Sequence, residues 1–228
     1  MSSSAQPGPP GHPGPVIAID GPAGAGKSTL ARRLAMGLDV PYLNTGSMYR
    51  ALTRRALDRE VDPSDGAALA ELLSRMRFDL DWNLTPPELL IDGRAPGSEL
   101  VSLDVEATVS SVSRHPEVRR PMVAAQRRLG EHGAVVEGRD IGTVVFRGAP
   151  VKIFLDAASI ERAGRRTLER AGQADVASGL ARRDALDAKV NPLVPAPDAV
   201  HIDTTDRGPE DVFQEALALV ERRLGRRR

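Results

Sequence analysis

The segment Gly21-Pro-Ala-Gly-Ala-Gly-Lys-Ser28 fits the spacing G-x-x-x-x-G-K-[ST]. Each residue type in it has a physical task. Gly21, Gly24 and Gly26 let backbone N–H groups turn inward and approach an anion closely. Lys27 places an ammonium between a β- and a γ-phosphate, and the Ser28 hydroxyl offers an oxygen ligand to Mg²⁺. Pro22, Ala23 and Ala25 fill the loop, and Thr29 supports the α-phosphate or the local turn. The segment from Gly21 to Thr29 is thus expected to hold a nucleoside triphosphate. It leaves open which group receives the terminal phosphate.

A second set of candidates is acidic. Val135-Val136-Glu137 is an apolar run that ends in a carboxylate, placed to hold Mg²⁺ through water. Glu137 ranks first for position. Asp140 and Asp20 are the other candidates, and Glu137 or Asp140 could instead cap the turn after the strand. A third set is basic. Only three of the 31 basic residues are lysines, Lys27, Lys152 and Lys189, so arginine carries most of the positive charge. Most of that is compositional habit. Clustered arginines matter more, because a planar guanidinium grips phosphate bidentately. Arg50 follows Thr45 in Asn44-Thr-Gly-Ser-Met-Tyr-Arg50. Arg119 lies in Arg114-His-Pro-Glu-Val-Arg-Arg120. Arg139 lies in Glu137-Gly-Arg-Asp140, just past the C-terminal end of a strand, where open α/β sheets place ligands. Arg162, Arg165 and Arg166 share one helical face; they either close over a transferred phosphoryl group or form a solvated basic face.

Elements must carry these groups. Val16-Ile-Ala-Ile reads as a buried strand, and residues 27–38 as the helix after the glycine loop. Further buried strands are expected at 134–136, 151–155 and 199–202, and a helix at 210–223. Alternating strands and helices predict an α/β fold, a three-layer sandwich with a central parallel sheet. Residues 78–82 and 88–91 read as a small antiparallel β insert, with a third strand expected within 94–103. Residues 157–195 are mostly charged and read as a helical lid. Residues 1–15, rich in Pro, Gly and Ser, read as a disordered tail. Residues 16–228 are taken as one unit: core 16–43, 106–156 and 196–228, lobe 44–105, lid 157–195.

Composition narrows the chemistry. The 228 residues are 41% hydrophobic and 27% charged, with 31 acidic against 31 basic side chains. A neutral balance argues against a dedicated nucleic-acid binder. With no cysteine, disulfides, thiolate metal sites and a cysteine nucleophile are excluded. The four histidines are scattered without metal-ligand spacing. No apolar run approaches a membrane span, and the N-terminus lacks the charge and apolar pattern of a secretory signal. A cytoplasmic monomer without a membrane or nucleic-acid partner is expected.

Several segments together resemble the bacterial cytidylate kinases, a family of nucleoside monophosphate kinases: IDGPAGAGKST, LNTGSMYR, ATVSSVSRHPEVR, VVEGRDIGTVVF, VKIFLDAASIERAGRR, RRDALD and NPLVPAPDAVHIDTT. The similarity runs from about Val16 to the C-terminus, and GRDIGTVVF with SSVS…P-x-V-R is its specific part. The resemblance implies a P-loop fold with an extra β lobe and transfer of phosphate from ATP, with Mg²⁺, to CMP and dCMP. It implies phosphate binding by Arg50 and Arg139, and a place near the cytosine for Thr45. Ser110, Arg119 and Asp140 would read the base edge, and Arg183 and Asp187 would hold the ribose hydroxyls. Lys27, Arg139, Arg162, Arg166 and Arg183 would carry catalysis. Cytosine presents an amino donor and two acceptors, so Asp140 can accept while Arg119 and Ser110 donate. The chain departs from the family at Asp187-Ala-Lys189, one residue short and with lysine in place of arginine.

Other classes remain to be weighed: a small kinase for UMP, AMP or shikimate, a non-catalytic nucleotide switch, and a nucleic-acid-associated ATPase. The GTPase base-reading pattern [NT]-K-x-D is absent from the sequence.

Overall fold

The computed structural model describes residues 14–169 and 193–225. Strand β1 (Val16–Asp20) lies at the centre of the sheet because its residues suit burial on both faces. Ile17 and Ile19 point to one layer and Ala18 to the other, the two-residue alternation of a strand. On its flanks β5 (Ala134–Gly138) and β6 (Val151–Asp156) run parallel to it, with Ile17 opposite Val135 and Val151. The remaining strands are β2 (Tyr42–Asn44), β3 (Phe78–Asp81), β4 (Glu88–Ile91) and β7 (Val200–Asp203). They complete a seven-stranded sheet in the order β3-β4-β2-β5-β1-β6-β7. Every neighbouring pair is parallel except β3 and β4.

Helices cover both faces. Helix α1 (Lys27–Leu38) packs Ala31 and Leu34 against Ile17, Val135 and Ile153, joined by Val212 and Leu219 of α7 (Pro209–Leu224). On the opposite face lie α2 (Thr45–Asp58), α3 (Gly66–Ser74), α4 (Leu103–Ser113) and α5 (Pro116–Gly130), whose Leu52, Leu69, Val112 and Met122 cover Ala18 and Val136. The three-layer α/β sandwich is thus as expected, and so are the strands at β1, β5, β6 and β7.

The insert departs from expectation. Its antiparallel pair forms with Phe78 opposite Ile91, but β4 also joins the main sheet, parallel to β2 through Tyr42 and Glu88. The Tyr42 N–H donates to the Pro87 carbonyl at 2.8 Å. No third strand forms within 94–103. A single bridge joins Ile91 and Arg94, and a 3-10 turn follows at Ser98–Val101. Pro96 lacks the N–H a ladder needs, and Gly97 weakens a strand; buried Leu100 ties the segment down instead. From the expected lid, α6 (Ser159–Glu169) is described. The tail to residue 13, the lid segment 170–192 and the three terminal arginines lie outside the described residues.

Candidate active site

The phosphate loop leaves β1 and enters α1 without a side-chain cap: Gly26 occupies the N-cap position at φ 90° and ψ 12°, in the left-handed region. No side chain competes for the start of the helix, and the helix dipole favours an anion there. Gly24 also has a positive φ, 80°, and a Cβ at that position would come within 2.8 Å of the Arg162 carbonyl oxygen. The loop is held between its own turn and the root of α6. The Lys27 ammonium folds along it and donates to the Pro22 carbonyl at 2.7 Å.

The ends of β2, β5 and α4 bring the second half of the site against this loop. One cavity of about 280 Å³ is lined at once by Gly24, Gly26, Lys27, Ser28 and Thr29 and by Thr45, Arg50, Ser110, Arg119, Glu137, Arg139 and Asp140. Four stretches of sequence, separated by tens of residues, meet there. Asn44 caps α2 by accepting from the Ser47 N–H at 3.0 Å, which sets Thr45, Ser47 and Arg50 on the cavity side. Thr45 is buried, and its hydroxyl donates to the Glu137 carbonyl at 2.8 Å. This contact depends on Gly138, where a Cβ would lie 2.6 Å from the Thr45 hydroxyl oxygen. The Arg119 guanidinium pairs with the Asp140 carboxylate and also reaches the Ser113 carbonyl at 3.4 Å. That pair is only partly exposed, at 23% and 17% for the two side chains. It has enough access to exchange one partner for a ligand while remaining shielded from bulk water.

At the other end of the cavity Glu137 is buried, and its carboxylate accepts a hydrogen bond from the Tyr42 hydroxyl. The Asn44 amide donates to the same hydroxyl at 3.3 Å. Burial, and then the Glu137 carboxylate, push the Tyr42 phenol well above its ordinary pKa, so it stays a donor. Ser28 sits beside this pair, contributing a hydrogen bond that lowers the phenol's pKa. A serine hydroxyl with a buried carboxylate across the cavity is a donor set suited to a hard, oxygen-seeking cation. Among the described residues no cluster of three His, Asp or Glu side chains is arranged to hold a metal by itself. Such a cation would take most of its ligands from phosphates and water.

A family model described as cytidylate kinase matches residues 17–222. The chain belongs to the cytidylate kinase family. It is 43% identical over 220 residues to a protein named cytidylate kinase from Rhodococcus jostii, covering 92% of this chain and 96% of that one. The corresponding protein of Geobacillus kaustophilus is 46% identical over 218 residues, covering 92% and 97%. Solved structures with a looser likeness include a Thermus thermophilus protein, 24% identical with a TM-score of 0.45 over 93% of this chain and 98% of that one. A gluconokinase from Sinorhizobium meliloti is 18% identical with a TM-score of 0.49 over 92% and 93%. Membership rests on the sequence matches. As a cytidylate kinase family member the chain is a phosphotransferase that phosphorylates CMP and dCMP with ATP as donor.

Of the residues expected to act, the cavity gathers Ala23, Gly24, Gly26, Lys27, Ser28 and Thr29 of the phosphate loop and all the acceptor candidates from the lobe and core; Gly21, Pro22 and Ala25 are buried and do not line it. It does not gather the arginine cluster evenly. Arg162 turns to the phosphate loop and donates to the Ala23 carbonyl at 3.2 Å. Arg165, expected on the same face, turns away to the Thr204 hydroxyl and carbonyl at 2.9 and 2.6 Å. The spacing is right, but the loop before α7 captures the second guanidinium. The side chain of Arg166, and Arg183, Asp187 and Lys189 altogether, lie outside the described residues.

Sequence reasoning missed Tyr42, Asn44 and Tyr49. Asn44 had a usable signal, an Asn three residues before a free helical N–H. Tyr42 and Tyr49 had none, because each matters only through what packs on it. Tyr49 lines the cavity, and burial, opposed by the Arg119 guanidinium, raises its phenol to about 12. Asp20 had been a metal candidate. Its two oxygens instead accept from the Ile141 and Gly142 N–H groups at 2.7 and 2.8 Å.

Proposed function

We propose that the two halves of this one cavity bind ATP and a cytidine monophosphate in line, each by the residues named above. The observation that carries the reading is that the phosphate loop and a partly exposed carboxylate–arginine pair line the same space. ATP sits with its phosphates on Gly21, Pro22, Ala23, Gly24, Ala25, Gly26, Lys27, Ser28 and Thr29. Ser28, and Glu137 through water, would hold Mg²⁺. When bound, it would supply positive charge to the donor's phosphates. Arg50 and Arg139 take the acceptor's phosphate, while Thr45, Ser110, Arg119 and Asp140 face its base. Asp140 accepts from the cytosine amine. Uracil has a carbonyl oxygen in place of that amine, so the carboxylate would face an acceptor, which is how a polar site rejects a near-isostere.

The transfer needs little from a base. An oxygen of the monophosphate, already anionic, forms the new P–O bond. The bond between the γ-phosphorus and the β,γ-bridging oxygen breaks, and ADP leaves with that electron pair. The chain contributes position and positive charge, through Lys27, Arg139, Arg162, Arg166 and Arg183. Residues 44–105 act as the monophosphate lobe, and residues 157–195 as a lid that excludes water and holds the ribose through Arg183 and Asp187. The enzyme acts as a cytoplasmic monomer on small molecules. Among the described residues no helix is long and apolar enough to cross a membrane.

A coupled ADP-release assay over CMP, dCMP, UMP, AMP and shikimate, with chromatography of the product, tests this. CMP and dCMP are expected to lead, with CDP and dCDP formed. A rate with UMP or AMP equal to that with CMP would overturn the reading.

A further inference from the structure

Asp20 is the last residue of β1 and immediately precedes the phosphate loop. It is 4% exposed. A carboxylate at this depth is costly to keep charged, and burial is the main influence raising its pKa. Its two oxygens are spent on one object. They accept from the N–H groups of Ile141 and Gly142 at 2.7 and 2.8 Å. These are the first two residues of the π-helical turn Ile141–Val145 that directly follows Arg139 and Asp140. Within that turn the Val144 and Val145 N–H groups close onto the Asp140 carbonyl at 2.8 and 3.2 Å. The turn therefore begins at Asp140, and Asp20 grips its start. Lys27 and Asp140 are the charged groups that act on Asp20, one attracting and one repelling. The fit is tight: a Cβ on Gly142 would lie 3.3 Å from an Asp20 oxygen and 3.1 Å from the Lys152 side chain.

We infer that Asp20 is a positioning residue that locks the Arg139–Asp140 segment to the donor loop, and so governs affinity for the monophosphate without touching it. The inference rests on the reading of the acceptor site given above. Two charge-assisted hydrogen bonds to adjacent N–H groups fix both the height and the rotation of the segment. An error there moves the Arg139 guanidinium and the Asp140 carboxylate together. The donor loop is built by its own backbone and by Gly24 against α6, so it does not depend on this link to the same degree.

The test is calorimetric binding of CMP without ATP, and of the Mg²⁺ complex of the β,γ-imido analogue of ATP without CMP. Asp20→Asn keeps the volume but sets an amide N–H against a backbone N–H. It is expected to weaken CMP by about 10- to 100-fold, as small misplacements of binding groups do, with the ATP analogue within about threefold. In an Asp140→Asn background the same change is expected to cost CMP binding clearly less than in the unsubstituted protein, because the carboxylate's share of the loss is already gone and only the displacement of Arg139 remains. Gly142→Ala, which presses on the same link without removing charge, is expected to show the same selective loss and serves where Asp20→Asn does not fold. CMP affinity unchanged in both variants, equal losses for CMP and the ATP analogue, or an undiminished loss in the Asp140→Asn background would each overturn the inference. Unsubstituted protein that binds CMP no better than UMP would instead sink the acceptor-site reading, and this inference with it.

Discussion

The two halves of the cavity are built from different materials. The half lined by the phosphate loop comes from one continuous stretch, Ala23 to Thr29, and what it offers is mostly backbone N–H groups and a helix terminus. The half proposed for the acceptor comes from the ends of β2, β5 and α4 and from α5, and what it offers is side chains. Backbone ligation is local and reads only charge, so it accepts any triphosphate of the right shape. Side chains drawn from four segments can match the edge of one base, but only if the sheet brings them into register. Generality and selectivity thus sit side by side, and the strand ends of β1 and β5 join them.

The largest effect is expected for Lys27→Ala in the donor half. Removing one preorganised charge from a phosphoryl-transfer site lowers kcat by about 10²- to 10³-fold or more. CMP binding by calorimetry should stay close to that of the unsubstituted protein; a matching fall in CMP affinity would mean that the halves are not separable. Next comes Glu137→Gln, at the border between them. Steady-state rates over a Mg²⁺ titration should show a loss of about 10- to 100-fold that excess Mg²⁺ partly restores, the usual size for a supporting ligand. Insensitivity to Mg²⁺ would remove Glu137 from the metal's surroundings.

Gly138→Ala probes the acceptor half by packing alone. Its Cβ would fall 2.6 Å from both the Thr45 hydroxyl and the Ile141 side chain. Overpacking of this kind costs about 1–3 kcal/mol, which a urea midpoint can read, and the KM for CMP should rise more than that for ATP. The smallest effect is expected for Asp104, at the start of the helix that carries Ser110. Hydrogen bonding from Ser102 and the Arg54 guanidinium, against a slight desolvation cost, hold its carboxyl down to about 2. A folded pKa below the unfolded one stabilises above the ordinary carboxylate range, and that stabilisation is lost as pH falls from about 4 toward 2. The side chain is 51% exposed, so Asp104→Asn should cost under about 1 kcal/mol at neutral pH. That difference should vanish near pH 2, with CMP and ATP kinetics unchanged throughout.

The same contrast decides what could be read from the sequence. A local motif carries its own geometry: G-x-x-x-x-G-K-S after a β-branched strand leaves one arrangement, and α1 begins at Lys27 as the spacing implies. The acceptor residues were legible as types, with arginine and carboxylate at loop junctions, and their grouping came from resemblance to a family. What spacing alone did not reveal are the interactions that cross the sheet. Tyr42 on Glu137 and Asp20 on the turn after Asp140 each link residues about a hundred positions apart. Arg165 shows the converse: its helical face was legible, but Thr204, which captures it, was not. The end of the insert failed for a local reason, since Pro96 and Gly97 outweigh the apolar residues around them.

On the proposed reading, the acceptor half selects cytosine through Asp140 while the donor half is indifferent to it. The most direct measurement is the ratio of kcat/KM for CMP to that for UMP, in the unsubstituted protein and in Asp140→Ala, alongside the KM for ATP. The ratio is expected to lie well above one and to collapse toward one in the variant, with the KM for ATP within about threefold, because one polar partner shielded from water discriminates by about 10-fold or more. A ratio that survives the substitution, or a KM for ATP that rises as far as selectivity falls, would contradict that reading.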